Sequence, residues 1–222
     1  IIAAGGIGSP LILRKSGIER AGRDFFFDPL VFVYGKIKGL GSGKAVPMSS
    51  GVHFADDGIV MTDFNMPHLL KIILDLEVLK LKQVFSYTDT LPIMIKIRDE
   101  LGGELSKNGW VKKNLTKNDK LKLHKGAVHA KRILQNAGAT DIYEGWMFAA
   151  HPGGTVKIGE QLDADLKTEF DNLYVCDCSV IPQELGLPPT WTLLSLGKRL
   201  ARHLVAADAG IKSENRKTVS AA

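Results

Sequence analysis

The sequence predicts a mixed fold, in which α/β segments at both ends of the chain enclose an α+β segment built on an antiparallel sheet. Three observations support this prediction. Residues 1–18 read as a strand, a glycine turn and a helix, which is half of a βαβ unit. Residues 28–98 hold runs rich in β-branched and aromatic side chains, separated by turn residues. Residues 172–177 read as a further strand, and an amphipathic helix follows them.

The first segment starts in the middle of a structural unit. Residues 1–4 resemble the end of a buried strand, yet no partner strand precedes them. We therefore expect a truncated chain or one chain of a split protein. After the glycine turn, Ser9 is placed to cap a helix and Pro10 to take its first position, ahead of an apolar segment at 11–18.

Periodicity predicts two strands and two helices in the middle of the chain, at 29–34, 93–97, 68–81 and 116–136. Thr116 can cap the second helix, and Asp119 places a negative charge at the positive end of its dipole. Gly138 ends that helix. A last helix with a continuous leucine face is predicted at about 190–207.

The predicted domain division follows from these changes of character. The chain leaves a first domain, forms an inserted domain and then returns to the first. From Lys212 onward the sequence is polar, and we expect a disordered tail. The four parts are 1–27, 28–145, 146–210 and 211–222.

Composition excludes several classes of protein. Hydrophobic residues make up 45% and charged residues 24% of the 222 residues, which argues against disorder and against a fibrous repeat. No apolar run approaches the roughly 18 residues that cross a bilayer. The N-terminus also lacks the basic region of a signal peptide. We therefore expect no membrane span and no secretion signal.

The net charge of +5 is mildly basic, and much of the excess lies in lysines between residues 112 and 125. A groove for nucleic acid would interleave aromatic side chains with these charges. Only Trp110 is close, so the lysines indicate a solvated helix face. We expect no nucleic-acid partner.

The two cysteines, Cys176 and Cys178, flank Asp177. Two ligands cannot close a structural zinc site, and a bridge between cysteines two apart in a strand would be strained. They are interpreted as packed thiols in a reducing compartment. We therefore expect a cytoplasmic protein without a metal site.

The densest chemistry-bearing segment is 149–155 (AAHPGGT), centred on His151. Pro152 fixes the backbone beside the histidine, and the two glycines let a flat ligand or another backbone approach closely. A histidine held in this way suits proton abstraction near neutral pH. A structural turn with a hydrogen-bonded histidine is the alternative that this segment leaves open.

Two further features could hold a ligand. Asp177 stands at the end of the predicted strand, where doubly wound sheets bind ligands and an acid can hold sugar-like hydroxyls. A capping or loop aspartate is the alternative. Residues 188–192 open the last helix, whose free N–H groups would stabilise an electron-rich ring edge or a phosphate.

Residues 39–44 (GLGSGK) resemble a phosphate-binding loop only superficially. Lys44 replaces the last glycine of G-x-G-x-x-G, and Ala45 replaces the Ser or Thr that follows a P-loop lysine. The segment is interpreted as a flexible turn.

Taken in order, these motifs resemble those of the glucose–methanol–choline (GMC) flavin oxidoreductases over nearly the whole chain. Residues 3–10 and 16–18 look like the family's second signature, although Gly6 stands for the usual alanine or similar small residue and Glu19 for a glycine. The family's C-terminal pattern is matched in order and approximate spacing by 151–155, Gly159, 175–182 and Thr192.

The resemblance implies an FAD-binding Rossmann-like domain that is interrupted by a substrate domain built on an antiparallel sheet. It implies oxidation of an alcohol, in which His151 takes the hydroxyl proton while hydride passes to the flavin. Asp177 would match the acid near the ribityl chain and pyrophosphate, and the start of the last helix would lie against the flavin ring. The cofactor-binding residues implied are Gly5, Ser9, Asp177, Cys178, Pro189, Thr190 and Thr192.

The sequence departs from the family pattern in two ways. The second His or Asn that pairs with the base falls here on Pro188 or Pro189, and neither side chain can hydrogen-bond. The family's glycine-rich ADP-binding motif lies before anything present in this sequence. We therefore expect the chain alone to bind FAD poorly, and to work with an N-terminal FAD-domain chain or a missing segment.

These observations favour an FAD-dependent alcohol dehydrogenase or oxidase acting on a small-molecule alcohol, present as a fragment or as one chain of a split enzyme. A non-catalytic flavin-fold subunit for assembly or electron transfer is the second hypothesis, and the missing His or Asn favours it. A plain α/β binding domain without a cofactor is the third.

Overall fold

The computed structural model describes residues 1–42 and 46–220, and side chains as far as residue 208. Gly43, Lys44 and Ala45 of the glycine-rich segment lie outside the described residues. The helices are α1 Gly5–Lys15, α2 His68–Glu77, α3 Lys117–Asn136 and α4 Thr190–Ser220, with 3-10 segments at Leu81–Asp89 and Cys178–Val180. The strands are β1 Arg23–Phe25, β2 Pro29–Lys36, β3 Gly51–Phe54, β4 Ile59–Asp63, β5 Thr90–Ile97, β6 Gly102–Leu105, β7 Val111–Lys112 and β8 Thr140–Ala149.

An antiparallel sheet forms the middle of the molecule, as predicted. Its five strands lie in the order β3-β4-β5-β2-β8, and a second sheet has the order β1-β6-β7. The predicted strands at 29–34 and 93–97 fall within β2 and β5 and pair with each other. One face of the large sheet packs against α3 through a core that includes Val33, Ile95 and Leu134.

Helix α3 forms where the sequence predicts it, because residues at its own N-terminus determine where it begins. The Thr116 side chain accepts the N–H of Asp119, and the Asp119 carboxylate accepts the N–H of Thr116, which completes a capping box. Gly126 lets the helix lie directly on the sheet, since a Cβ there would overlap Ile95. Such close packing fixes the position of β5, which supplies a residue to the site described below.

Helix α2 covers the other face of the sheet and is shorter than predicted. Leu79 adopts φ 57°, and the N–H of Lys80 bonds to the carbonyl of Asp75, so a Schellman motif ends the helix. The helix turns an ion pair inward, Lys71 with Asp75, each no more than 1% exposed. Tyr143 of β8 donates its hydroxyl to the same Asp75 carboxylate, at 2.6 Å.

Helix α1 begins earlier than predicted, at Gly5 instead of after Ser9, and Pro10 lies inside it. Pro10 has no N–H to donate to the carbonyl of Gly6, four residues before it. The Thr155 hydroxyl donates to that carbonyl instead, at 2.8 Å. A side chain distant in sequence thus satisfies the carbonyl that the internal proline leaves without a donor. Ser9 lies within α1 and is therefore not the cap of this helix.

The predicted strand at 172–177 is not formed as a strand. Val175 makes one parallel bridge with Ile2, and Tyr174 makes one antiparallel bridge with Lys167. A ladder needs a continuous neighbour, and the described residues supply isolated bridges at this segment. Its apolar side chains still join a core shared with α1 and α4, which includes Leu13, Val175 and Leu200.

Helix α4 extends through Ser220, well beyond the predicted end near residue 207 and into the segment predicted as a disordered tail. Among the described residues, no helix combines the length and the apolar character that a membrane span requires. Strand β8 continues across the predicted boundary between residues 145 and 146, and the domain division itself stays a prediction.

Candidate active site

His151 lies just after β8, on a loop that is fastened to the residues before β2. The carbonyl of Phe27 accepts the N–H groups of Ala150 and His151, at 3.1 and 3.3 Å. Phe26 and Gly153 then form an antiparallel bridge. The loop therefore holds the histidine against the start of β2, and about a third of its side chain (31%) is exposed.

A buried ion pair stands behind the His151 ring. Asp28 Oδ2 lies 3.2 Å from His151 Nδ1 and 2.9 Å from the Nζ of Lys96 on β5. Lys96 Nζ is itself 3.5 Å from Nδ1. The side chains of Asp28 and Lys96 are 0% and 2% exposed, so the interaction is poorly screened by water.

The backbone of Asp28 explains why its carboxylate points inward. Asp28 has φ 49°, a left-handed conformation that Asp tolerates better than most residues. The carboxylate of Asp99 accepts the N–H groups of Phe27 and Asp28 and thereby holds this turn. Lys113 pairs with Asp99 at 2.9 Å in a second buried ion pair.

The neighbours of His151 influence which of its two ring nitrogens carries the hydrogen. When Nδ1 of His151 carries the hydrogen, it can donate to the Asp28 carboxylate, which in its ionised form only accepts hydrogen bonds. The lone pair then lies on Nε2. A histidine in that state can accept a proton from a ligand, which is what a general base requires.

His151 lines a cavity of about 740 Å³, within the size range of small-molecule sites. Most of the wall is apolar. Part of it is the sheet face that α2 covers, and part is α2 itself. The apolar side chains include Leu30 and Phe32 of β2, Met94 of β5, Phe148 of β8, and Leu70 and Leu74 of α2. Polar side chains lie among them, including His53, Thr62 and Thr190.

The start of α4 opens onto the same cavity. Pro188 and Thr190 line it, whereas Pro189 is buried and accepts the N–H of Leu193 at 2.9 Å. That bond is the first of the helix. The N–H groups of Thr190, Trp191 and Thr192 precede it, and such groups have no intrahelical partner. Thr190 and Thr192 are both exposed.

The other predicted cofactor residues gather at the start of α1. Asp177 accepts the N–H of Gly5 at 2.9 Å and the hydroxyl of Ser9 on one oxygen, and the N–H of Ser179 on the other. A carboxylate has about four acceptor positions, and three are occupied here. Asp177 thus acts as a cap within the fold, the alternative that the sequence left open, and one acceptor position remains.

The start of α1, near Asp177, makes a close contact with the loop that carries His151. A Cβ on Gly6 of α1 would overlap the carbonyl oxygen of Pro152, directly beside His151. Cys178 is buried, and a Cβ on Gly153 would lie 2.7 Å from its sulfur. Burial and the nearby carboxylates of Asp28 and Asp177 raise the pKa of the Cys178 thiol to about 12.

Asp28 and Lys96 are the site residues that the sequence analysis missed. Both lie far from His151 in sequence, by 123 and 55 residues. One signal was available. Lys96 stands alone among apolar side chains in the run 93–97, a position that β5 buries, and buried lysines almost always have a partner.

Comparisons with known proteins concern the family and the fold of the chain. Residues 110–197 match the family model of the GMC oxidoreductases. An uncharacterized protein of Methanocaldococcus jannaschii is 32% identical over 206 residues, which cover 92% of this chain and 52% of that protein. Pyridoxine 4-oxidase from Mesorbium loti shares the fold with a TM-score of 0.59 at 16% identity, over 90% of this chain and 50% of that one.

The chain thus spans about half the length of these proteins. The region that matches the family model includes His151, Asp177 and the start of α4. The resemblance that the motifs predict is confirmed. The family match over residues 110–197 and the shared fold support a resemblance to the C-terminal portion of a GMC oxidoreductase.

Proposed function

We propose that this chain is the substrate-side portion of an FAD-dependent oxidoreductase that oxidises the CH–OH group of a small-molecule alcohol. The observation that carries the proposal is the position of His151. Asp28 engages its Nδ1 atom at 3.2 Å, and its ring lines a cavity of about 740 Å³ beside the start of α4. Proton acceptor, substrate space and a positively polarised helix end therefore meet at one place.

The residues around the cavity fit a flavin. The three N–H groups that open α4 suit the electron-rich edge of its ring, because a helix N-terminus favours negative charge. Gly5, Ser9 and Asp177 would support the part of the cofactor that lies toward α1, within a Rossmann-like domain. The flavin supplies the hydride acceptor when it is bound. The protein supplies the proton acceptor and the substrate cavity.

In that chemistry His151 Nε2 accepts the hydroxyl proton of the alcohol as the hydride leaves its carbon. The apolar cavity wall excludes water and favours an alcohol with an apolar body, as the side chains of Phe32, Leu74 and Phe148 indicate. Asp28 Oδ2, which also pairs with Lys96, lies 3.2 Å from Nδ1 and would stabilise the positive charge that develops on the ring.

The proposed enzyme needs a further part. This chain spans 52% of its Methanocaldococcus jannaschii relative and 50% of pyridoxine 4-oxidase. We place the ADP-binding motif of the FAD domain on an N-terminal chain or segment that packs against α1 and α4. In this proposal that part holds most of the cofactor, while the present chain supplies the base and the substrate cavity.

The first test replaces His151 with Ala in the complete enzyme. We expect FAD to stay bound, while anaerobic addition of an alcohol substrate reduces it at least about 100-fold more slowly, as when a general base is lost. The visible flavin absorbance reports the reduction. His129 of α3, which stacks on Phe54 on the opposite face of the sheet, provides the matched control His129→Ala. Unchanged bleaching in His151→Ala would remove the histidine from the mechanism.

A second candidate function is a flavin-fold subunit without catalysis of its own. Pro188 favours it, because it lines the cavity and is one of the two prolines, with Pro189, on which the family's hydrogen-bonding His or Asn falls. The same bleaching experiment decides between the two. Flavin that is bound in stoichiometric amount but is bleached by no alcohol would support the non-catalytic subunit.

A further inference from the structure

We infer that Asp28 is a positioning residue for His151, which fixes the ring proton on Nδ1 and leaves Nε2 as the accepting atom, with Lys96 as the buried countercharge. The inference deepens the proposed function and rests on it for the consequence in catalysis. The tautomer itself is a property of this chain's own residues.

Asp28 is held on both oxygens. Oδ1 accepts the N–H of Gly186 at 3.1 Å, and Oδ2 faces Lys96 Nζ at 2.9 Å and His151 Nδ1 at 3.2 Å. The groups come from β5, from the loop before α4 and from the loop after β8. The carboxylate therefore has little freedom to turn away from the ring.

The competing arrangement is less favourable. Lys96 could donate to an unprotonated Nδ1, which would put the ring proton on Nε2 and abolish its basic function. However, Lys96 Nζ lies closer to Asp28 than to Nδ1, at 2.9 against 3.5 Å. An unprotonated Nδ1 would also direct its lone pair at the Asp28 carboxylate, 3.2 Å away in a buried setting.

The backbone supports the same reading. Asp28 keeps a left-handed conformation, φ 49°, immediately before Pro29. Strained residues of this kind persist where the surroundings over-determine them, and they cluster at functional sites. Here the surroundings are Asp99, which accepts the N–H of Asp28 at 2.9 Å, and the Lys113 that pairs with Asp99.

The test uses the complete enzyme with 15N-labelled histidine. At a pH where His151 is neutral, its nitrogen chemical shifts report which ring atom carries the proton, and His151→Gln assigns the signals. We expect the proton on Nδ1 in the unsubstituted protein. In Asp28→Asn we expect a shift toward Nε2–H, because the Asn amide can donate to Nδ1. Asp75→Asn, which breaks the equally buried pair with Lys71, should leave the tautomer unchanged.

A proton on Nε2 in the unsubstituted protein would overturn the inference whether or not the variants fold. So would an unchanged tautomer in a folded Asp28→Asn protein. In catalysis, we expect Asp28→Asn to slow anaerobic flavin reduction by about 100- to 10,000-fold, the range seen when the orienting acid of a catalytic histidine is lost. FAD content should not change, and Asp75→Asn should reduce the flavin at the original rate.

The two proposals fail differently. If no alcohol reduces the flavin of the unsubstituted enzyme, the proposed reaction is wrong, and the nitrogen shifts still decide the tautomer. If the enzyme reduces its flavin and Asp28→Asn does so equally fast, the positioning role is refuted while the reaction stands.

Discussion

Buried charges determine the behaviour of single residues around the His151 loop. Asp99 illustrates this. Burial raises its pKa above the ordinary range, against the opposing effects of Lys113 and of the backbone N–H groups of Asp28 and Phe27. The ionised carboxylate of Asp99 thus costs free energy that these partners offset in part. Asp99 lies at the turn of Phe27 and Asp28, which directs the Asp28 carboxylate toward the His151 ring.

Cys178 allows a test of this environment at the level of one residue. Its thiol pKa is raised to about 12, first by burial and then by the charges of Asp28 and Asp177. An ordinary thiol has a pKa near 8.5. The thiolate is the reactive form, so at pH 8 we expect alkylation of Cys178 to be roughly 1000-fold slower than that of a free cysteine. Mass spectrometry of Cys176→Ser protein after iodoacetamide treatment measures the rate.

The sign of the pH dependence is part of that prediction. Because the pKa is raised, labelling of Cys178 should keep accelerating between about pH 9 and pH 12, where a free cysteine has already reached its maximum rate. In denaturant the residue should label at the ordinary rate. Rapid labelling of the native protein at pH 8 would contradict the burial of Cys178 and the raised pKa of its thiol.

The sequence permitted a prediction of His151 but not of its partners. His151 lies in a short motif, so adjacent residues mark it as a candidate base. Asp28 is 123 residues away from it, and the ion pair between Asp28 and Lys96 joins residues 68 apart. Such pairs depend on the register between β2 and β5, which local periodicity does not determine.

At the scale of elements, the contact between α1 and the His151 loop leaves no space for a side chain at its centre. Gly6 sits against the carbonyl of Pro152, where a Cβ would overlap backbone atoms. Backbone cannot yield as a flexible side chain can. We expect Gly6→Ala to lower the free energy of unfolding by about 1–3 kcal/mol or more, measured by urea unfolding.

Gly197 provides the matched control. It lies in α4, and a Cβ there would meet nothing within 4 Å. Gly197→Ala should therefore stabilise the protein by about 0.5–1 kcal/mol, because alanine is the better helix former. Equal effects of the two substitutions would contradict the close approach of α1 to the loop.

Prediction of elements succeeded where their signals are local and failed where they are not. The capping box of α3 lies within four residues, Thr116 to Asp119, and the helix begins where it was expected. Pro10 was read as a first helical position, because the hydroxyl of Thr155 that satisfies the Gly6 carbonyl is 149 residues away. The segment 172–177 has strand composition, yet pairing depends on neighbours that composition does not reveal.

At the scale of the whole molecule, the apolar surface of α4 is the most informative feature. Trp191, Leu194 and Val205 are 81%, 60% and 70% exposed. Exposed apolar patches of this kind mark interaction sites. The helix starts at the proposed flavin site, and the chain has half the length of its relatives. These facts together support α4 as the surface on which the proposed N-terminal FAD domain packs.

This docking surface predicts how FAD binding divides between the two parts. We expect the chain of 222 residues alone to retain little FAD on gel filtration, and co-expression with the N-terminal FAD-domain part to restore stoichiometric flavin. Leu194→Asp should abolish that restoration, since a charge would be buried without a partner. Leu121→Asp on α3, where the leucine is similarly exposed at 63%, should not. If both variants recover flavin alike, the FAD domain does not dock on this face of α4, and another surface must hold it.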